Sequence, residues 1–247
     1  MLTEPTKEKL FDMRLAAMAV AWQEQQSDAK MSSLTFDERF ALIVDAEHQA
    51  RDNRRLKRLL KTAQFRLQNA CIEDFEASTS RGLDKPMLRQ LGTCSWIPEW
   101  LNVLISGATG VGKSYLACAL GQTACRRGFG VLYRRLPRLF EELGLARAEG
   151  TYARYLAKLA KFDLLILDDF GIGTLNEPQR HDLLEVLEDR YNQRATIVTS
   201  QLPIQKWHEW IDDATLADAI LDRLVHNAYK ITLKGPSRRK ERAKKSA

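Results

Sequence analysis

Apolar positions recur with helical spacing over the first sixty or so residues, then give way to short apolar runs separated by amphipathic stretches. Within 5–30, Leu10, Met13, Leu15, Ala17, Met18, Val20 and Trp22 alternate with Glu and Gln, which predicts a helix. Ser32 or Ser33 marks a break. A second helix is expected to start near Phe36, with Phe36, Phe40, Ile43 and Val44 on one face, continuing through Leu56, Leu59, Leu60 and Phe65. From about 71 to 100, Gly82, Pro86, Gly92 and Pro98 interrupt any period, as in a connector. Strands then follow over 101–106, 130–133, 163–168, 195–200 and near 229–233. Helices over 113–127, 136–149, 151–160, 177–193 and within 204–228 alternate with them. Such alternation predicts an α/β fold with a parallel sheet sandwiched by helices. The expected organisation is an N-terminal helical, basic module over 1–70, an α/β domain over 71–235 and a basic tail over 236–247.

Length and composition set limits on this reading. At 247 residues and 45% hydrophobic, the chain can bury a full α/β core with a small appendage. No run approaches the eighteen or more apolar residues of a membrane span. Glu4, Lys7, Glu8 and Lys9 open the chain without an apolar signal region, so a cytoplasmic location is expected. Cys71, Cys94, Cys118 and Cys125 form no C-x-x-C pair and read as small buried hydrophobes. His48, His181, His208 and His226 are scattered and suggest no metal site.

The formal net charge of +6 is concentrated. Residues 51–66 hold seven basic side chains against Asp52 alone, and the stretch 234–245 is again basic, with Glu241 its one acid. Few acids lie at i+4 to pair with the bases of 51–66. Arg54, Arg55, Lys57, Arg58 and Lys61 are therefore candidate contacts to the phosphates of duplex DNA, and Arg134, Arg135 and Arg138 form a second candidate patch. Nothing resembles a recognition helix, so binding without base readout is expected.

The chemistry is most legible at 107–114. Gly107, Ala108, Thr109, Gly110, Val111, Gly112, Lys113 and Ser114 complete the pattern G-x-x-x-x-G-K-[ST], between a predicted strand and a predicted helix. Backbone N–H groups of such a loop cradle phosphates at a helix N-terminus. Lys113 would reach the β- and γ-phosphates of ATP, and the Ser114 hydroxyl would hold Mg²⁺. The run Leu164-Leu165-Ile166-Leu167 ends in Asp168 and Asp169, at the sheet edge where α/β folds bind ligands. Asp168 suits the Mg²⁺ shell, and Asp169 suits polarisation of the attacking water. Thr196-Ile197-Val198-Thr199 runs into Ser200 and Gln201, either of which could face the γ-phosphate.

Over at least 65–235 the chain resembles the IstB-like ATPases, AAA+ proteins related to the DnaC helicase loaders. The resemblance is carried by Asn102-Val103-Leu104-Ile105 before the phosphate loop and by Leu164-Leu165-Ile166-Leu167-Asp168-Asp169-Phe170-Gly171. Thr199-Ser200-Gln201-Leu202-Pro203, Trp207-His208, and the run from Leu216 through Ala217-Asp218-Ala219 and Asp222-Arg223 to Ala228 add to it. It implies a Mg²⁺-dependent ATPase of a bacterial insertion sequence that forms homo-oligomers, binds duplex DNA and delivers target DNA to a transposase. It also implies that Arg223 is an arginine finger acting in the ATP site of a neighbouring subunit. Many AAA+ proteins carry Asp-Glu where this chain has Asp168-Asp169. No second sensor arginine in a C-terminal lid is evident, and Ser237-Arg238 is a poor substitute. A helicase loader is the alternative within the class. A small-molecule phosphotransferase is the alternative outside it, and would leave Asp169 and the basic helix without a task.

Overall fold

The computed structural model describes residues 3–238, so the tail expected over 236–247 lies outside the described residues beyond 238. The chain divides into two compact units, residues up to Arg58 and residues from Leu59 onward. The division falls inside a helix, and 59–70 group with the second unit, where Ala63, Phe65 and Ala70 are buried.

The first unit holds α1 (Thr3–Asp12), α2 (Ala16–Ser27) and most of α3 (Phe36–Ala63). The single helix expected over 5–30 is two helices, because Arg14 adopts a left-handed φ of 60° between them. The apolar periodicity runs straight through that break and conceals it. Thr35 and Glu38 form a reciprocal cap for α3, with Thr35 N donating to Glu38 Oε2 at 2.8 Å and Glu38 N to Thr35 Oγ1 at 3.4 Å. Glu47 on α3 caps α2 from the side. Its Oε2 accepts the amides of Ala17 and Met18 at 2.9 and 3.1 Å. Arg51 sits on its other oxygen at 2.9 Å, and this hydrogen bond, helped by the two amides, holds the Glu47 carboxyl below the usual range.

The second unit is a five-stranded parallel sheet. Its strands are β1 (Asn102–Gly107), β2 (Val131–Arg135), β3 (Leu164–Phe170), β4 (Ala195–Ser200) and β5 (Ala228–Leu233), in the order β2-β3-β4-β1-β5. The helices are α4 (Lys85–Gly92), α5 (Lys113–Arg126), α6 (Leu136–Ala148), α7 (Tyr152–Ala160), α8 (Glu177–Glu188), α9 (Trp207–Ile211) and α10 (Ala214–Val225). Leu104, Leu132, Leu165, Leu167 and Val198 face a core built with α6 to α10, centred on Phe170 and Trp207. Helix α5 packs against β1 to β4 outside that cluster.

The connector is more regular than its breakers suggest. Asp84 caps α4 by accepting Met87 N at 2.8 Å, with Pro86 in the first turn. Helix α8 ends at Glu188 rather than near 193. Asn192 takes a left-handed φ of 53°, and Arg190 turns fully inward. There its guanidinium donates to the carbonyls of Leu159, Phe162 and Ala195 and to Thr196 Oγ1, fastening the start of β4. No helix among the described residues is long and apolar enough to cross a membrane.

Candidate active site

The phosphate loop joins β1 to α5, and its left-handed residues are Gly107, Gly110 and Gly112, at φ of 144°, 86° and 109°. Gly112 stands directly before the first turn of α5. Lys113 folds back over the loop, its Nζ donating to the carbonyls of Gly107 and Ala108 at 2.8 and 2.9 Å. The ammonium therefore stands where phosphate oxygens would enter, already partly stripped of water.

Two strands away, β3 ends in an irregularity that decides the geometry of the site. Leu167 pairs with Val198 and Phe170 with Ser200, so Asp168 and Asp169 together oppose Thr199. Asp169 supplies the extra residue with a φ of 64°. Such bulges redirect side chains, and Asp is among the few non-glycine residues that tolerate the left-handed region. Thr199 spans the bulge, its hydroxyl donating to Asp168 Oδ1 and accepting the Asp169 amide at 3.4 Å. The regular alternation of a strand would have sent the two carboxylates to opposite faces of the sheet.

Asp168 is fully buried. Ser114 Oγ donates to its Oδ1 at 2.8 Å, and the Tyr133 hydroxyl donates to its Oδ2 at 2.5 Å. Burial, the Asp168 charge and that hydrogen bond push the Tyr133 phenol far above its ordinary value, so it remains a donor. Asp169 is partly exposed to the cavity and meets Arg135 Nε at 2.6 Å. Arg66 Nη1 stands 3.8 Å from Asp168 Oδ2 and 3.9 Å from Asp169 Oδ2.

Arg66, Ser114 and Asp169 border a cavity of about 450 Å³, a size that suits a nucleotide. Thr109, Gly110, Gly112, Lys113 and Ser114 form one side. Leu67, Phe75 and Tyr115 form an apolar wall, and the rings of Phe75 and Tyr115 stack at 6.5 Å. That wall belongs to the stretch that follows α3 and to the first turn of α5. Tyr115 OH accepts the Cys71 amide at 3.1 Å, and Gln122 holds the carbonyls of Leu67 and Gln68 at 3.2 and 2.7 Å.

The expected residues separate into groups. Residues of the phosphate loop, Asp168, Asp169 and Gln201 come together, and Gln201 Oε1 accepts the Thr109 hydroxyl at 2.8 Å. Ser200 does not join them: it is buried, donating to the Phe170 carbonyl at 2.7 Å and accepting Leu202 N at 3.0 Å. Arg134 is mostly covered and paired with Glu142 at 2.9 Å, while Arg135 pairs with Asp169 at 2.6 Å. Arg138 pairs with Glu141. Arg223 lies beside the start of β1, where Asn102 Nδ2 donates to its carbonyl at 3.0 Å. Strand β1 separates that point from the phosphate loop by roughly 17 Å at about 3.3 Å per residue. Its guanidinium pairs with Glu188 and donates to Ala219 O at 2.7 Å. Arg54, Arg55, Lys57, Arg58 and Lys61 are exposed on α3, with Arg54 also 3.0 Å from Glu47.

Arg66, Tyr133, Thr199, Phe75 and Tyr115 are site residues that sequence reasoning did not single out, and Arg238, set aside there as a poor substitute for a sensor arginine, lines the cavity. Arg66 is hidden in the basic run of which it is the last member. Thr199 carries a signal, since it stands in the strand-end string beside Ser200 and Gln201.

The profile of the IstB-like ATP binding protein family matches residues 8–246. The chain belongs to this family. It is 49% identical over 246 residues to the insertion sequence ATP-binding protein y4pL of Sinorhizobium fredii, covering all of both chains. The IS1162 ATP-binding protein of Pseudomonas fluorescens is 47% identical over 203 residues, spanning 82% of this chain and 88% of its own. Among solved structures, the DnaC helicase loader matches with a TM-score of 0.56 at 19% identity, over 67% of this chain and 97% of its own. That likeness shows the AAA+ fold, in agreement with the sheet order. The IstB-like chain is thus an insertion-sequence ATP-binding protein whose phosphate loop, carboxylate bulge and apolar wall surround one cavity.

Proposed function

We propose that the chain is a Mg²⁺-dependent ATPase that assembles on duplex DNA and helps the transposase of its insertion sequence capture target DNA. The observation that carries the ATPase reading is the bulge at Asp168 and Asp169, which turns both carboxylates toward one phosphate loop. Lys113 and the loop amides would bind the β- and γ-phosphates. The Ser114 hydroxyl and Asp168, already 2.8 Å apart, are hard oxygen donors that fit Mg²⁺. Bound there, the ion would neutralise charge on the phosphates. Asp169, nearer solvent than Asp168, would orient and polarise the attacking water. Gln201 would contact the γ-phosphate, since the Ser200 hydroxyl is committed to the backbone. Leu67, Phe75 and Tyr115 would seat the base.

Arg223 cannot reach its own phosphate loop, so a role on phosphate requires a second subunit. In that role it would exchange Glu188 for the γ-phosphoryl of a neighbour and make hydrolysis depend on assembly. Exposed bases on α3, from Arg54 to Lys61, would neutralise DNA phosphates without reading bases. The helical, basic unit is read as the DNA-binding module and the α/β unit as the ATPase domain.

The test is binding to labelled duplex DNA with ATP, ADP or no nucleotide across a salt series, with particle size measured in parallel. Tight, salt-sensitive binding by a large assembly in ATP alone is expected. Monomers that ignore duplex DNA in every nucleotide state would refute the reading.

A further inference from the structure

Helix α3 stops at Ala63, Gln64 takes a left-handed φ of 55°, and the chain turns onto α5, the helix that follows the phosphate loop. The backbone on either side of Arg66 is fastened there. Phe65 is buried against Gly121, where a Cβ would stand 2.5 Å from its ring. Gln122 Nε2 donates to the carbonyls of Leu67 and Gln68 at 3.2 and 2.7 Å. Arg66 is thus anchored at its base, while its side chain, 42% exposed, keeps room to move.

One nitrogen of this arginine serves both carboxylates of the β3 bulge. Arg66 Nη1 stands 3.8 Å from Asp168 Oδ2 and 3.9 Å from Asp169 Oδ2. Both distances lie beyond hydrogen bonding, so charge and not a directed bond holds the guanidinium here. Arg135 differs, with its Nε 2.6 Å from Asp169 Oδ2. A buried carboxylate with a like charge beside it needs a neighbouring cation to stay ionised. Arg66 supplies that charge to Oδ2 of Asp168, whose Oδ1 accepts the Ser114 hydroxyl at 2.8 Å. A divalent ion held by Ser114 and Asp168 would satisfy the same carboxylate with twice the charge. Two cations on one carboxylate repel, so the ion and Arg66 compete.

We propose that Arg66 is a tethered counter-ion that holds Asp168 and Asp169 until Mg²⁺ arrives with ATP, and so keeps free Mg²⁺ out of the site. The proposal rests on the Mg²⁺ and ATP reading of the cavity and adds a positioning residue that sets its order of loading. A bound polyphosphate adds negative charge that favours the ion, and Arg66 gives way along the cavity wall that it lines. A residue outside both the phosphate loop and the carboxylate pair thereby makes metal entry depend on nucleotide.

The test is titration of nucleotide-free protein with Mn²⁺, read from the paramagnetic resonance signal of the free ion, with thermal unfolding of each variant. Arg66→Gln is expected to bind Mn²⁺ roughly tenfold more tightly than wild type, which corresponds to about 1.4 kcal/mol of relieved repulsion. Arg66→Ala repeats the measurement with a shorter side chain, and Arg66→Lys, which keeps the charge, should stay near wild type. The gain should vanish when Arg66→Gln is combined with Asp168→Asn. Equal Mn²⁺ affinity in wild type, Arg66→Gln and Arg66→Ala, or a gain that survives Asp168→Asn, would overturn the proposal while leaving the ATP site intact. Wild-type protein that takes up no Mn²⁺ beyond that held by ATP alone would overturn the underlying reading as well.

Discussion

Tyr133 on β2 donates its phenol to Asp168 on β3 at 2.5 Å, and both groups are shut away from solvent. Because the phenol is held far above its ordinary range, it stays protonated and donating through the alkaline range in which a free phenol ionises. Tyr133→Phe removes one of the donors to a buried carboxylate and should cost about 1.5–3 kcal/mol. Urea unfolding of the nucleotide-free protein measures the loss. A change below a few tenths would show that the remaining donors compensate.

Asp169→Asn keeps the shape of the bulge and removes the charge. ATP binding should stay within a few-fold of wild type, while hydrolysis falls by roughly 10²–10⁴. Single-turnover hydrolysis separates the two effects. Hydrolysis at the wild-type rate would leave the chain as an ATP-dependent clamp that uses other groups, or none, to activate water.

Charge reversal on α3 tests the DNA reading. Arg58→Glu and Lys61→Glu are exposed changes that should leave the thermal midpoint almost unmoved. Duplex affinity should fall without regard to sequence, and the slope of log K against log salt should shrink by about 0.9 for each lost phosphate contact. An unchanged slope would move the DNA-binding surface elsewhere.

The four cysteines should differ in reactivity. Burial pushes the thiols of Cys94 and Cys118 up to about 11 and that of Cys125 up to about 12, so their thiolates are scarce at pH 8. Cys71 is only partly covered. A disulfide-exchange reagent at pH 8 should modify one thiol rapidly in the native protein and all four in denaturant. Fast reaction of a second thiol would mean that the core around α5 opens readily.

Arg190 is buried among carbonyls and ion-pairs with no acid among the described residues. Arg190→Ala orphans several acceptors at once and should cost about 3–5 kcal/mol, in the range of a broken buried charge network. Denaturant unfolding reads it directly. A cost under 1 kcal/mol would mean that water replaces the guanidinium.

Most of this architecture was visible in the chain, because strand and helix periods differ and the phosphate loop sits at a strand-helix junction. What escaped has local causes. The break at Arg14 interrupts no apolar period, and Asn192 looks like an ordinary helical polar residue until its backbone is seen. Sequence spacing placed Asp168 and Asp169 side by side but could not reveal the bulge that turns both toward the loop. Arg66 and Arg135 were legible only as charge. Charge density along a chain does not say which base folds inward toward a carboxylate and which stays in water.

The order of strands also governs when the molecule becomes competent. Gly107, the first residue of the phosphate loop, pairs with Leu233, the last residue of β5, and Leu104 in mid-strand pairs with Lys230. The strand feeding the loop thus waits for β5, the last strand among the described residues, to close its exposed side. A nascent chain, or one cut short by a premature stop, has the nucleotide motif and no finished seat for it.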